Sequence, residues 1–311
     1  MSDIGYGMWG MGGWSGSDDD ESLASLQRSV DLGCTFFDTA YVYGNGRSEN
    51  LLGQLVRANP DKRLYTATKI PPKNMKYPTL PEYSLDECYP PEHIEEFLHT
   101  SLENAGLERF DLLQIHTWND DWTHESGWSD MLDSLKRQGL IGATGISINR
   151  WEPWNGVKAV RSGKIDSVQV VYNTFDQNPE DELFPACQEM DVAVIARVPF
   201  DEGSLTGQMT VETKFPDGDF RNTYFAADKL GPILERVEAL RPVIPHDSTM
   251  PETVLRHILS HPAVSTIIPG MRKMNHVESN IAASDLGPLD TGLLDDLRPH
   301  RWVRKAAPRS D

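Results

Sequence analysis

The chain is predicted to form a (β/α)8 TIM barrel with extra helices and long βα loops, on three observations. Eight short β-prone runs begin at Ile4, Thr35, Leu64, Phe110, Ile141, Ser167, Val192 and Val264. Each is followed by a helical pattern, and short apolar strands separated by helices imply a parallel sheet buried on both faces. No Gly-x-Gly-x-x-Gly opens the first helix, so a cofactor site of the doubly wound kind is poorly supported. Eight strand–helix units suggest closure into one barrel domain over residues 1–311, with a tail over 289–311 near the active-site mouth.

In chain order, Ile4-Gly5-Tyr6-Gly7-Met8-Trp9 alternates apolar residues with glycine, which admits another backbone or a ligand at close range. Asp18 to Asp20 cap a helix bearing Leu23, Leu26 and Val30, ended by Gly33. Thr35-Phe36-Phe37 is a buried strand that delivers Asp38 to its C-terminal end. Tyr43 follows on a loop with the turn Gly44-Asn45-Gly46, ahead of a helix carrying Leu51, Leu52, Leu55 and Val56. Leu64 to Ile70 is the next strand, with Lys69 near its end and Pro71-Pro72 as its stop. Residues 71–90, rich in proline and tyrosine, read as a long loop without regular structure.

Pro91 then opens a helix closed by Gly106, and Phe110 to His116 is a strand with His116 at its end. A helix around Trp128 to Leu135 stops at Gly139, and the strand from Ile141 ends at Ser147 and Ile148. Val157 and Val160 mark a helix, Ser167 to Val171 a strand, Leu183 to Met190 a helix and Val192 to Ala196 a strand. Residues 197–224 again look irregular; helices are expected over 226–240 and 249–261, then a strand from Val264, a helix from Met274 and a tail helix from Leu289.

Of 311 residues, 39% are hydrophobic and 24% charged, enough for one large core. A formal net charge of −18, spread along the chain, argues against nucleic acid or an anionic membrane as partner. No apolar run is long enough to span a bilayer and the start does not resemble a signal peptide, so a cytoplasmic location is expected. Cys34, Cys88 and Cys187 are odd in number and widely spaced, so neither a disulfide nor a metal site is expected.

In barrels the strand C-termini carry the site, and Asp38, Tyr43, Lys69 and His116 fall at or just beyond such ends. Each alone has a bland reading: a turn aspartate, a packed loop tyrosine, a solvated lysine, a satisfied histidine near Trp118. Gathered at one rim, they form an acid–base set. A neighbouring ammonium favours the phenolate and makes Tyr43 a better proton donor, provided Asp38 holds the Lys69 charge. His116 would orient a carbonyl oxygen. The set fits acid-assisted carbonyl reduction with a hydride arriving from elsewhere.

These residues also carry a family resemblance. Phe37-Asp38-Thr39-Ala40 with Tyr43-Gly44, then Thr68-Lys69, then Gln114-Ile115-His116, resemble the catalytic motifs of the aldo-keto reductases. Gly145-Ile146-Ser147, Gln169 to Asn173, Gly203 to Gly207 and Ile268-Pro269-Gly270 through Asn280 extend it over nearly the whole chain. The resemblance implies an NAD(P)H-dependent enzyme with Tyr43 as general acid, tuned by Lys69 and Asp38, and His116 placing the carbonyl. It assigns Ser147 and Gln169 to the nicotinamide carboxamide, Gly203, Ser204 and Leu205 to the pyrophosphate as backbone donors, Gly270 to the cofactor, and Asn280 to adenine. Arg272 would meet a 2'-phosphate, so NADP(H) is favoured over NAD(H). Where the family often has Ser-Asn, this chain has Ser147-Ile148-Asn149, with Asn149 as the candidate to complete the contact. Arg197 stands where many members stack a tyrosine on the nicotinamide.

Trp9, Trp118 and Trp122 would ring the mouth, suiting an apolar or aromatic carbonyl compound, while Arg301 and Arg304 read as solvated tail charges. The expected partner is thus a small-molecule carbonyl, taken by a monomer or weak homo-oligomer. A non-catalytic nicotinamide-binding subunit or redox sensor is the alternative.

Overall fold

The computed structural model describes residues 1–14 and 16–304. The end of the expected tail, residues 305–311, lies outside the described residues. The strands are β1 (Tyr6–Gly7), β2 (Phe36–Asp38), β3 (Tyr65–Ile70), β4 (Phe110–Ile115), β5 (Ile141–Ser147), β6 (Ser167–Val171), β7 (Ala193–Arg197) and β8 (Val264–Ile267). They form one parallel sheet in chain order, and Ile4 and Gly7 bridge in parallel to Ile267 and Gly270. Gly5 N donates to Ile267 O at 2.8 Å and Gly7 N to Pro269 O at 3.0 Å, which closes the barrel. The Gly7 position tolerates nothing larger at this seam, since a Cβ there would stand 2.6 Å from Ile268 O.

Helices α1 (Asp19–Asp31), α2 (Arg47–Ala58), α3 (Leu85–Cys88), α4 (Pro91–Ala105), α5 (Gly127–Arg137) and α6 (Val157–Arg161) surround the first part of the barrel. They are followed by α7 (Leu183–Met190), α8 (Arg221–Tyr224), α9 (Ala227–Leu240), α10 (Met250–Leu259), α11 (Met274–Asp285) and α12 (Thr291–Leu297). Local chemistry sets their ends: Asp18 caps α1 through Glu21 N, Pro91 opens α4, and Gly106 takes a left-handed conformation to close it. Two stretches expected to be irregular are not wholly so. The 71–90 loop holds α3, nucleated by a capping box between Ser84 and Glu87, and the stretch after β7 holds a 3-10 turn (Asp201–Thr206) and α8.

The alternation of strand side chains explains what fills the barrel. Phe36, Ala67, Leu112, Ile195 and Ile268 form an apolar cluster distinct from the main core between sheet and helices. Two residues further along the same strands, on the same face, stand Asp38, Lys69, Gln114 and Arg197. The barrel interior therefore turns from apolar to polar toward the C-terminal ends. Among the described residues, no helix is long and apolar enough to cross a membrane. Cys34, Cys88 and Cys187 are buried free thiols.

Candidate active site

Asp38 organises the polar layer. Its Oδ2 accepts from Lys69 Nζ at 2.5 Å, and its Oδ1 accepts from Gln114 Nε2 at 3.0 Å and Gln169 Nε2 at 2.9 Å. Lys69 also donates to Thr39 O at 2.8 Å. The Lys69 and Asp38 side chains are 1% and 3% exposed, so the pair is out of water and is satisfied by these fixed donors. Gln114 belongs to this layer as well as to the Gln114-Ile115-His116 motif. Its place two residues before His116, on the inward face, was the signal that it belongs to the site.

Tyr43 sits above this layer, with Lys69 Nζ 5.1 Å from its ring centroid. Burial raises the phenol pKa, and the Lys69 and Arg197 charges only partly oppose it. Lys69 thus acts on Tyr43 in the expected direction, toward the phenolate, but burial is the larger effect. Desolvation wins, and Tyr43 is protonated at neutral pH, the form a proton donor requires. His116 meets the Tyr43 ring edge to face at 6.0 Å. Burial, with Lys69 and Arg197, drives its pKa well below 6.5, so the imidazole is neutral. Its Nδ1 is buried without a hydrogen-bond partner among the described residues.

Tyr43 and His116 open into a cleft of about 260 Å³ that Ser147, Asn149, Gln169 and Arg197 also line. Arg197 ends β7 and donates to Ile148 O at 2.9 Å. Asn149 is engaged elsewhere: its Nδ2 donates to Thr79 O and to Glu152 Oε2, both at 2.8 Å, which pins the 71–90 loop to the end of β5. Trp9, 39% exposed, stands at the mouth as expected, against Trp14 and Phe220. Trp118 does not. It is fully buried, donates to Asp120 Oδ1 at 3.2 Å and packs on Trp122 and Trp128, so both Trp118 and Trp122 belong to the core under α5. The aromatics that share the mouth with Trp9 are Trp14 and Tyr77. Both came from segments whose glycine and proline content gave no periodicity to place them.

Beyond β7 the backbone turns through left-handed conformations at Val198, Asp201, Glu202 and Gly203, with φ of 55, 46, 57 and 110°. Gly203 N and Leu205 N, expected to face outward as donors, both turn inward to Phe200 O at 2.9 and 3.0 Å. Ser204 Oγ donates to Asp201 Oδ2 at 2.7 Å. Gly270 is exposed beyond β8, Arg272 reaches Gly10 O at 3.5 Å, and Asn280 is buried on α11. Of the two tail arginines expected to be solvated, Arg301 remains partly exposed and Arg304 is withdrawn from water. Arg301 pairs with Asp181, and Arg304 is buried between Asp176 and Asp201. Among the described residues no group of three His, Cys, Asp or Glu side chains could hold a metal ion.

The model of the Aldo/keto reductase family matches residues 3–300. An aldo-keto reductase of Schizosaccharomyces pombe, yakc, designated for NADP(+), is 28% identical over 291 residues, which cover 90% of this chain and 83% of that protein. The NADH-specific methylglyoxal reductase of Escherichia coli is 25% identical over 306 residues, covering 93% and 92%. Among solved structures, the glycerol dehydrogenase of Gluconobacter oxydans superposes with a TM-score of 0.79 at 24% identity, covering 99% of this chain and 94% of the other.

Proposed function

Because the chain belongs to the aldo/keto reductase family, we propose that it reduces an aldehyde or ketone to the alcohol with hydride from NADPH, Tyr43 acting as general acid. The observation that carries this reading is the buried Lys69–Asp38 pair beside a protonated Tyr43 and a neutral His116. Ser147, Gln169 and Arg197 fit a nicotinamide. They line the cleft from β5, β6 and β7, together with Tyr43 and His116, which lie just beyond β2 and β4. Bound there, the reduced ring supplies the hydride.

The chain's own residues manage the proton and the charge. As the carbonyl carbon is reduced, its oxygen takes the Tyr43 proton. The phenolate left behind faces Lys69 and Arg197, whose charges both favour it. Neutral His116 donates a hydrogen bond to the same oxygen and orients it, without the charge that would set it in competition as an acid. Asp38, tied down by two glutamines, keeps the Lys69 ammonium aimed at the phenol.

Arg272 and Lys273 stand together just before α11, a cationic pair suited to a 2'-phosphate, which supports NADP(H) over NAD(H). The fission yeast relative is designated for NADP(+) and the E. coli relative is NADH-specific, so the choice rests on these residues. The aromatic rim of Trp9, Trp14 and Tyr77 suits a small apolar or aromatic carbonyl compound. The test follows NADPH absorbance with a panel of aldehydes, including 4-nitrobenzaldehyde, for the wild type and Tyr43→Phe. Turnover by the wild type that Tyr43→Phe abolishes is expected. Tight NADPH binding with no turnover on any carbonyl would overturn the enzyme reading in favour of a non-catalytic nicotinamide sensor.

A further inference from the structure

The strained turn after β7 is held from outside by two arginines. Asp201 and Glu202 are consecutive acids, both in a left-handed conformation that disfavours residues other than glycine. Arg150, from the end of β5, grips Glu202 at 2.6 Å, with the two side chains 10% and 15% exposed. Asp201 is held more deeply. Its Oδ1 accepts from Arg304 Nη1 at 2.7 Å and from Tyr224 OH at 2.6 Å, while its Oδ2 takes the Ser204 hydroxyl. Arg304 Nε lies 3.3 Å from Asp176 Oδ1, and its guanidinium lies over the rings of Trp302 and Trp151 at 4.4 and 5.2 Å.

Three parts of the fold meet at this one guanidinium. Asp176 follows β6, Asp201 follows β7, and Tyr224 closes the short helix α8, while Arg304 comes from the end of the chain after α12. Ser204 in turn donates to Asp201, so one carboxylate links Arg304 to the turn that carries residues 203–205. Asp38, Lys69, Gln114 and Gln169 form a separate polar set, bonded among themselves.

We propose that Arg304 is a positioning residue that latches the β7 turn for the cofactor's diphosphate. The inference rests on the NADPH reading above and on the family resemblance, which assigns residues 203–205 to the diphosphate. With Arg304 in place, Asp201 is neutralised and the turn keeps one conformation. Without it, the Asp176 and Asp201 carboxylates face each other beside a site that must accept an anion. The latch acts on how long the cofactor stays and not on proton transfer.

The experiment compares NADPH affinity and release, by stopped-flow fluorescence, in the wild type, Arg304→Gln and Tyr224→Phe. Changes at a binding site are read mostly in dissociation, so Arg304→Gln, which loosens the turn, should release NADPH about tenfold faster or more. Turnover at saturating cofactor should not fall. Adding Asp176→Asn, which removes one of the two stranded carboxylates, should recover part of the affinity, an effect that a general loosening of the fold would not produce. Folded Arg304→Gln with wild-type release overturns the latch. Should Arg304→Gln fail to fold, Tyr224→Phe, which removes one hydroxyl from Asp201, decides: faster release supports the proposal and an unchanged rate overturns it. A wild type that binds no NADPH would instead overturn the cofactor reading.

Discussion

Lys69→Met separates proton transfer from folding. Lys69 Nζ lies 5.1 Å from the centroid of the Tyr43 ring. Unit charges at that separation interact by about 3 kcal/mol at an effective dielectric constant of about 20. A phenolate developing in the transition state loses that support in Lys69→Met, so turnover should fall by about two orders of magnitude. The same change strands Asp38, 97% removed from water by the complement of its 3% exposure. Breaking such a pair costs about 3–5 kcal/mol, moderated here by the two glutamine donors on Asp38. Adding Asp38→Asn removes the stranded charge. The double variant should therefore regain thermal stability without regaining turnover. Steady-state NADPH oxidation measures the first effect and thermal unfolding the second, while fluorescence titration should find NADPH affinity nearly unchanged. A folded Lys69→Met protein that binds NADPH and turns over within about tenfold of the wild type would refute the electrostatic role of Lys69.

Three further outcomes are expected. Arg197→Gln should narrow the preference for NADPH over NADP(+) by about tenfold, because a guanidinium against the ring disfavours its cationic oxidised form, whereas Arg197→Lys should keep the preference; equal dissociation-constant ratios in all three proteins would contradict this. Arg272→Ala should weaken NADPH more than NADH in the same titration, and equal losses would remove the argument for a 2'-phosphate contact. His257 is buried, and burial lowers its pKa from 6.5 to about 4, so below 6.5 the unfolded chain binds a proton that the folded chain refuses. Stability should fall as pH drops from 6.5 toward 4, by up to about 3 kcal/mol from this residue, and His257→Gln should flatten that part of a urea-midpoint profile against pH.

The barrel was legible because its evidence is local. Each strand is a short apolar run between turn signals, and chain-order pairing follows once eight such runs alternate with helices. The polar layer was legible for a related reason. Alternation places Asp38, Lys69 and His116 on one face of their strands, and parallel register brings the ends together. Gln114 obeys the same parity, and a stricter use of it would have set that residue beside Asp38.

Parity stops being informative where the strand stops, and the misplaced residues lie beyond that point. β4 ends at Ile115, so Trp118 is free of the alternation that governs Gln114, and its ring turns outward to Trp128 and away from the cleft. Asn149 lies past the end of β5, where its amide is taken by Thr79, a partner 70 residues away in sequence. Arg304 is the extreme case, joined to Asp201 across 103 residues. A charged residue in a tail reads as solvated because burying a lone guanidinium is costly. Here the cost is offset by two carboxylates that no local pattern associates with it. Sequence periodicity thus tells which polar groups reach the rim, whereas which of them remain available to a ligand depends on long-range pairing. That distinction is why the residues proposed for proton transfer could be brought to one rim from the chain alone and the residue proposed to latch the β7 turn could not.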